Sequence, residues 1–190
     1  AKVFKTPVNE VSREQRSKAK AVNFGIIYGQ SAFGLSQNLS IPRKEAKAII
    51  DSYFEEYPTI KKYMENVVAS SREKGYVETI LKRRRYLPDI NSSNAIVRGY
   101  AERNAVNAPV QGSAADVIKL AMIKVQNEMD EKNLKSKMVL QVHDELIFDV
   151  LDNEREVMEK LVKKNMESAV ELSVPLDVEY KIANNWLEAH

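Results

Sequence analysis

The sequence predicts an α+β chain in which helices come first and an antiparallel hairpin follows. Three observations point there. Residues 1–74 are dominated by segments whose apolar positions recur at the helical period of 3.6. Met138-Val139-Leu140 and Leu146-Ile147-Phe148 are β-prone runs on either side of a short polar break, the pattern of a hairpin. The chain shows no regular alternation of strand and helix, so it does not suggest a parallel sheet.

Ser12 followed three residues later by Gln15 is a capping-box pattern and starts a helix over about 13–28. Gly25 and Gly29 loosen its end, and Gly34 marks a turn into the next segment. Pro42 sits near the first turn of a second helix. Ala46, Ile49, Ile50, Tyr53 and Phe54 form its apolar face. Pro58 ends that helix, and a third runs over about 59–74 with Gly75 as its C-cap. Tyr76-Val77-Glu78-Thr79-Ile80-Leu81 reads as a strand, and the cation run Lys82-Arg83-Arg84-Arg85 follows it. Pro88 and Asn91-Ser92-Ser93-Asn94 make a loop, where a subdomain boundary is expected.

Ser93 or Asn94 caps a helix to about Asn107, which Pro109 bends or interrupts. A second long helix over about 112–131 has Ala115, Ile118, Leu120, Met122, Ile123 and Val125 to bury. The hairpin comes next, then a charged helix over about 153–172. Leu176-Asp177-Val178-Glu179-Tyr180 reads as a closing strand. No internal repeat or low-complexity tract is evident.

Composition excludes some classes. The chain has 190 residues, 44% of them apolar, which suffices for one or two small domains with a real core. With no cysteine there is no disulfide framework and no thiolate metal site, as fits a reducing compartment. No apolar run approaches the roughly 20 residues that span a membrane. The net charge of +2 conceals an asymmetry. Residues 1–85 carry 17 Lys and Arg against 9 Asp and Glu, whereas residues 86–190 carry 12 against 18. A basic half suits phosphate, and an acidic half suits cations or solvated helices.

Two motifs carry chemistry. Arg16, Lys20, Phe24 and Tyr28 recur every four residues, so on a helix they wind along one stripe: two cations, a flat ring, then a ring with a hydroxyl. A nucleoside triphosphate presents its parts in the matching order. The bland alternative is an amphipathic helix with a solvated basic face. The second motif is Gln141-Val142-His143-Asp144-Glu145 at the hairpin tip. Adjacent carboxylates there can meet a hard divalent cation, or can simply be a solvated turn. Together the two suggest metal-assisted phosphoryl transfer.

In that order the motifs resemble those of family A DNA polymerases. The first run has the form R-x-x-x-K-x-x-x-F-G-x-x-Y-G and the second is Q-V-H-D-E. Between them, Tyr86-Leu87-Pro88-Asp89-Ile90, Ala101-Glu102-Arg103 and the run from Asn107 through Gln111 to Asp116 also match, as does the closing Asn185-Trp186-Leu187-Glu188-Ala189-His190. The resemblance implies a fingers subdomain over 1–88 and the C-terminal part of a palm over 89–190. It also implies transfer of dNTPs to a primer 3′-hydroxyl with release of pyrophosphate. Arg16 and Lys20 then face the triphosphate, and Lys20 can donate a proton to the leaving group. Phe24 packs near the sugar, where Phe is associated with discrimination against dideoxynucleotides, and Tyr28 stacks near the templating base. Asp144 is the metal-binding carboxylate and Glu145 a weaker partner. Two Mg²⁺ ions are implied, with Mn²⁺ able to substitute.

Arg103, Asn107 and Gln111 match residues that contact DNA, where Asn and Gln can donate or accept at minor-groove edges, though capping around Pro109 is the bland alternative, and His143 matches one that positions the primer terminus. Arg83 and Arg84 match a Gly-Arg-Arg element in which Lys82 stands where Gly is usual. The implied partners are primer–template DNA, dNTPs and the remainder of a longer polymerase, with its thumb and an upstream palm strand. That strand's second metal-binding aspartate, in a run like D-Y-S-Q-I-E-L-R, is absent here. The chain is therefore expected to be a C-terminal piece, inactive alone, from a cytoplasmic, nucleoid-associated and monomeric bacterial enzyme with no membrane attachment. Two alternatives stand beside this reading. One is a phage-type RNA polymerase, which Phe24-Gly25 and Glu145 disfavour. The other is a DNA-binding module without catalysis.

Overall fold

A computed structural model describes every residue except Val3, Lys5 and His190. The fold is α+β and falls into two compact units, Ala1–Gly112 and Ser113–His190. Four helices open the first unit: α1 (Arg13–Ile27), α2 (Ala32–Leu39), α3 (Arg43–Glu56) and α4 (Pro58–Lys74). The α1 start is the predicted capping box, in which the Ser12 hydroxyl accepts from Gln15 N–H and the Gln15 side chain accepts from Ser12 N–H. Pro58 occupies the first turn of α4, where its missing N–H is harmless, and Gly75 closes the helix at φ 77°. Val22, Ile26, Leu35, Ala46 and Tyr53 form the buried core that α1, α2 and α3 share.

The sequence reading placed a turn at Gly34, but Gly34 lies inside α2. Ser31 caps this helix by accepting from Gly34 N–H at 3.2 Å, and the turn falls instead at Gly29, whose φ is +69°. At eight residues α2 is too short for its apolar period to stand out.

Tyr76–Glu78 (β1) pairs antiparallel with Arg84–Tyr86 (β2), so half of the cation run is a strand. Cross-strand pairs hold it: Glu78 with Arg84 at 3.0 Å, and the Tyr76 and Tyr86 rings 5.8 Å apart. Lys82, standing where Gly is usual, takes up the left-handed conformation at φ 65° and completes the turn. Leu87 and Ile90 of the Leu-Pro-Asp-Ile run are buried in a second core with Val77, Ala101 and Ala105.

Helix α5 is single and unbroken, Ala95–Glu131, with Pro109 inside it. Pro109 was expected to bend or interrupt the helix; the helical span continues through it. A proline within a helix costs about 3 kcal/mol or more. Here the turns before it bury Ala101, Ala105 and Val106, and those after it bury Ile118, Ala121, Val125 and Met129, so packing on both sides offsets the lost hydrogen bond. Asn94 caps α5 by accepting from Ile96 N–H at 2.9 Å. Ile123, expected in the core, is 56% exposed; Ala121 and Met129 are buried instead. The two compact units divide inside this helix, between Gly112 and Ser113.

In the second unit, β3 (Lys137–Val142) and β4 (Glu145–Asp149) make the predicted hairpin, with an irregular register between Met138 and Leu140. Helix α6 (Arg155–Glu167) supplies Met158 and Leu161 to a core with Val125 and Met129, against which Met138 and Phe148 pack. Buried Glu154 ties the start of β3 to α6: its carboxylate accepts from Lys135 N–H, Ser136 N–H and the Ser136 hydroxyl at 2.6–3.0 Å. The short helix α7 spans Trp186–Ala189, and the last residue of the closing motif, His190, lies outside the described residues. Residues 176–180 are not a strand. A strand needs a partner for its backbone groups, and β3 and β4 pair only with each other among the described residues.

Candidate functional site

The predicted stripe on α1 forms as the spacing requires. Val22, Gly25 and Ile26 face the core, which turns Arg16, Lys20, Phe24 and Tyr28 outward. Phe24 and Tyr28 are 49% and 43% exposed, and their rings stack with centroids 6.2 Å apart at 16°. Lys20 Nζ lies 5.9 Å from the centre of the Phe24 ring. Neighbouring cations on α1 are differently placed: Lys18 pairs with Glu14 at 2.8 Å, and this contact raises the lysine and lowers the glutamate from their ordinary values. Among the described residues neither Arg16 nor Lys20 makes an ion pair. The stripe therefore keeps two uncommitted cations beside two open ring faces. Chemically it can bind a polyphosphate at one end and cover a flat or sugar-like group at the other.

Helix α1 ends against α5. Gly29 N–H donates to Ile26 carbonyl at 2.8 Å, and the left-handed Gly29 reverses the chain. A methyl group on Gly29 would lie 2.8 Å from Arg103 Cγ, so the Arg103 stem rests directly on this glycine. Gln30 folds back in the same turn. A methyl group on Gly25 would lie 2.2 Å from its amide oxygen, and one on Gly34 would lie 2.8 Å from its Cγ. The two glycines thus leave the space that Gln30 fills, a packing for which the sequence carried no signal beyond the glycines themselves.

Arg103, Asn107 and Gln111 share a face of α5, as their spacing predicts. Arg103 and Gln111 are exposed. The Asn107 amide oxygen is buried, and no donor reaches it among the described residues. Arg83 and Arg84 are already engaged in part. Arg83 donates to Gly112 carbonyl at 3.0 Å; Arg84 holds Glu78 and lies 4.5 Å from the Tyr76 ring centre.

In the second unit, His143 and Asp144 form the exposed tip between β3 and β4, and Val142 and Glu145 close it as a cross-strand pair. His143 is left-handed at φ 54°, and its carbonyl accepts from the Gln141 amide at 2.7 Å. Asp144 and Glu145 are oxygen donors of the kind a hard cation prefers. They do not make a complete site: among the described residues no three or more acids, histidines or cysteines gather to hold a metal ion. Val139 and Leu140 on β3 are 50% and 53% exposed, an apolar surface beside these carboxylates. No described helix is long and apolar enough to cross a membrane.

Comparison with known proteins agrees with these motifs. The sequence profile of DNA polymerase family A matches residues 1–188. The chain is 52% identical over 188 residues to DNA polymerase I of Caldicellulosiruptor bescii, covering 99% of this chain and 22% of that protein. It is 55% identical to DNA polymerase I of Streptococcus pneumoniae serotype 4, covering 95% of this chain and 21% of that one. Its fold matches the POL domain of Pol1 from M. smegmatis, solved in complex with DNA primer-template and dNTP, at a TM-score of 0.90 and 46% identity over 93% of this chain and 31% of that one. The chain therefore spans about a fifth of the length of the curated relatives it matches. With its motifs in order and residues 1–188 matched, this chain belongs to DNA polymerase family A.

Proposed function

We propose that this chain is the fingers (1–88) and C-terminal palm (89–190) of a template-directed DNA polymerase. The observation that carries the proposal is the α1 stripe, in which uncommitted Arg16 and Lys20 run into the stacked rings of Phe24 and Tyr28. Arg16 and Lys20 bind the triphosphate of an incoming dNTP, with Arg16 offering two parallel donors and Lys20 a point charge. Phe24 lies against the sugar and Tyr28 against the templating base.

The primer 3′-oxygen attacks the α-phosphorus, forming a new P–O bond. The bond to the bridging oxygen breaks, and pyrophosphate leaves with its electron pair. Lys20 Nζ donates a proton to that leaving group. Asp144, with Glu145 assisting, holds part of the metal site. Divalent cations, Mg²⁺ or Mn²⁺, supply charge neutralisation at the phosphate and a more acidic 3′-hydroxyl when the donor set is complete. The remaining donor comes from the rest of the polymerase, so the chain alone is inactive. Arg103, Asn107 and Gln111 read the minor groove, where every base pair presents acceptors, and so sense base-pair shape rather than sequence. His143 positions the primer terminus. Arg83 and Arg84 reach DNA from the β1–β2 turn, where phosphate contact by Arg84 competes with Glu78. The protein acts as a monomer in the bacterial cytoplasm, at the nucleoid.

The test is Mg²⁺-dependent primer extension by the complete polymerase carrying this sequence, beside the 190-residue chain. Extension by the complete protein only is expected. Extension by the short chain would show that Asp144 and Glu145 suffice. Primer–template binding without extension in either would favour a non-catalytic DNA module, and a preference for ribonucleotides a phage-type RNA polymerase. For Lys20, Lys20→Arg keeps dNTP binding but alters the pH–rate profile, and an unaltered profile argues against the proton donor.

A further inference from the structure

We infer that Tyr100 is a positioning residue that holds the Arg103 side chain on the DNA-facing side of α5; the inference rests on the polymerase reading above. Tyr100 and Arg103 stand three residues apart on one helical face. Tyr100 is 64% exposed, so its ring is available to a neighbouring side chain on the helix surface. The Arg103 guanidinium carbon lies 5.9 Å from its ring centre. The stem of the same arginine rests on Gly29, where only the missing Cβ makes room. Arg103 is therefore gripped at two points: its stem by the end of the nucleotide helix, its head by a ring on its own helix.

The carboxylate that could compete for Arg103 is committed elsewhere. Adjacent Glu102 pairs with Arg72 and lies 3.8 Å from Arg98. Among the described residues Arg103 makes no ion pair, so its direction is set by packing: the Tyr100 ring, Gly29 at its stem, and Gly99, where an added methyl group would lie 3.6 Å from Nη1. A guanidinium held over a ring loses less freedom when it meets DNA than one waving in solvent, and the ring leaves its donors available. The grip also links the two substrates, because Arg103 can read the DNA only from a place that the α1 end permits.

The experiment is a double-mutant cycle in the complete polymerase, reading primer–template affinity by fluorescence anisotropy and KM for dNTP against kcat. Tyr100→Leu weakens DNA affinity about two- to fivefold, the range of an exposed cation–π contact. Tyr100→Phe, which keeps the ring, restores it. In an Arg103→Ala background Tyr100→Leu costs nothing further. An equal loss in that background would mean that Tyr100 touches DNA itself or supports the helix, and would overturn the inference. So would a Tyr100→Leu polymerase with unchanged affinity. A complete wild-type protein that fails to bind primer–template would remove the polymerase reading, and this inference with it.

Discussion

Replacing Gly29 by alanine should destabilise the chain more than replacing Gly75, though both glycines have left-handed backbones, at φ +69° and +77°. The backbone term is common to both, about 1–2 kcal/mol for a residue with a Cβ in this region. At Gly75 nothing lies within 4 Å of the new methyl group, so backbone strain is the whole cost. At Gly29 the methyl group meets Arg103 Cγ at 2.8 Å, Cβ at 3.4 Å and Cα at 3.5 Å. Those atoms belong to the stem and backbone, so relief requires Arg103 to leave its rotamer, at about 0.5–1.5 kcal/mol. The excess of Gly29→Ala over Gly75→Ala is thus about 1 kcal/mol, or roughly 2–4 °C in Tm for a chain of this size. Thermal unfolding followed by circular dichroism measures it. Arg103→Ala removes Cγ but not Cβ, so combining it with Gly29→Ala should abolish the excess. Equal losses at the two glycines, or an excess that survives Arg103→Ala, would refute the close approach.

The other predictions concern the second unit and the nucleotide stripe. Hydrogen bonds, first from the Ser136 hydroxyl and then from the Lys135 and Ser136 N–H groups, hold the Glu154 carboxyl below its ordinary value. A carboxylate lowered in this way contributes stability above the usual carboxylate range and loses it as pH falls toward the folded value. Stability measured from neutral pH into acid should therefore fall less steeply for Glu154→Gln than for the wild type, and parallel curves would count against the cluster. Leu161→Ala empties part of a core position that is 2% exposed and should cost about 2–5 kcal/mol by chemical denaturation, whereas Leu140→Ala at the half-exposed strand should stay within about 0.5 kcal/mol. Similar losses at the two leucines would mean that the hairpin face is covered in solution. In the complete polymerase, Phe24→Tyr should raise dideoxynucleotide incorporation relative to dNTP, and equal selectivity in both forms would remove Phe24 from the sugar.

What the sequence determined by itself was local in origin. The α1 capping box, Gly75 at the end of α4, the hairpin around the polar Gln141–Glu145 break and the stripe from Arg16 to Tyr28 all follow from contacts within a few residues, which spacing encodes directly. Tertiary structure decided what depends on a distant partner. Pro109 forecast a bend or an interruption, and α5 continues through it with buried residues on both sides. Residues 176–180 had strand composition but, among the described residues, no strand pairs with them, and they formed none. The cation run was legible as charge, but the allocation of Arg84 to Glu78 and of Arg83 to Gly112 came from β1–β2 pairing and the approach of α5. Arg103 was legible as one of a triad on a helix face. Its footing on Gly29 was not, because 74 residues separate the two and only the folded core brings the end of α1 to that turn of α5.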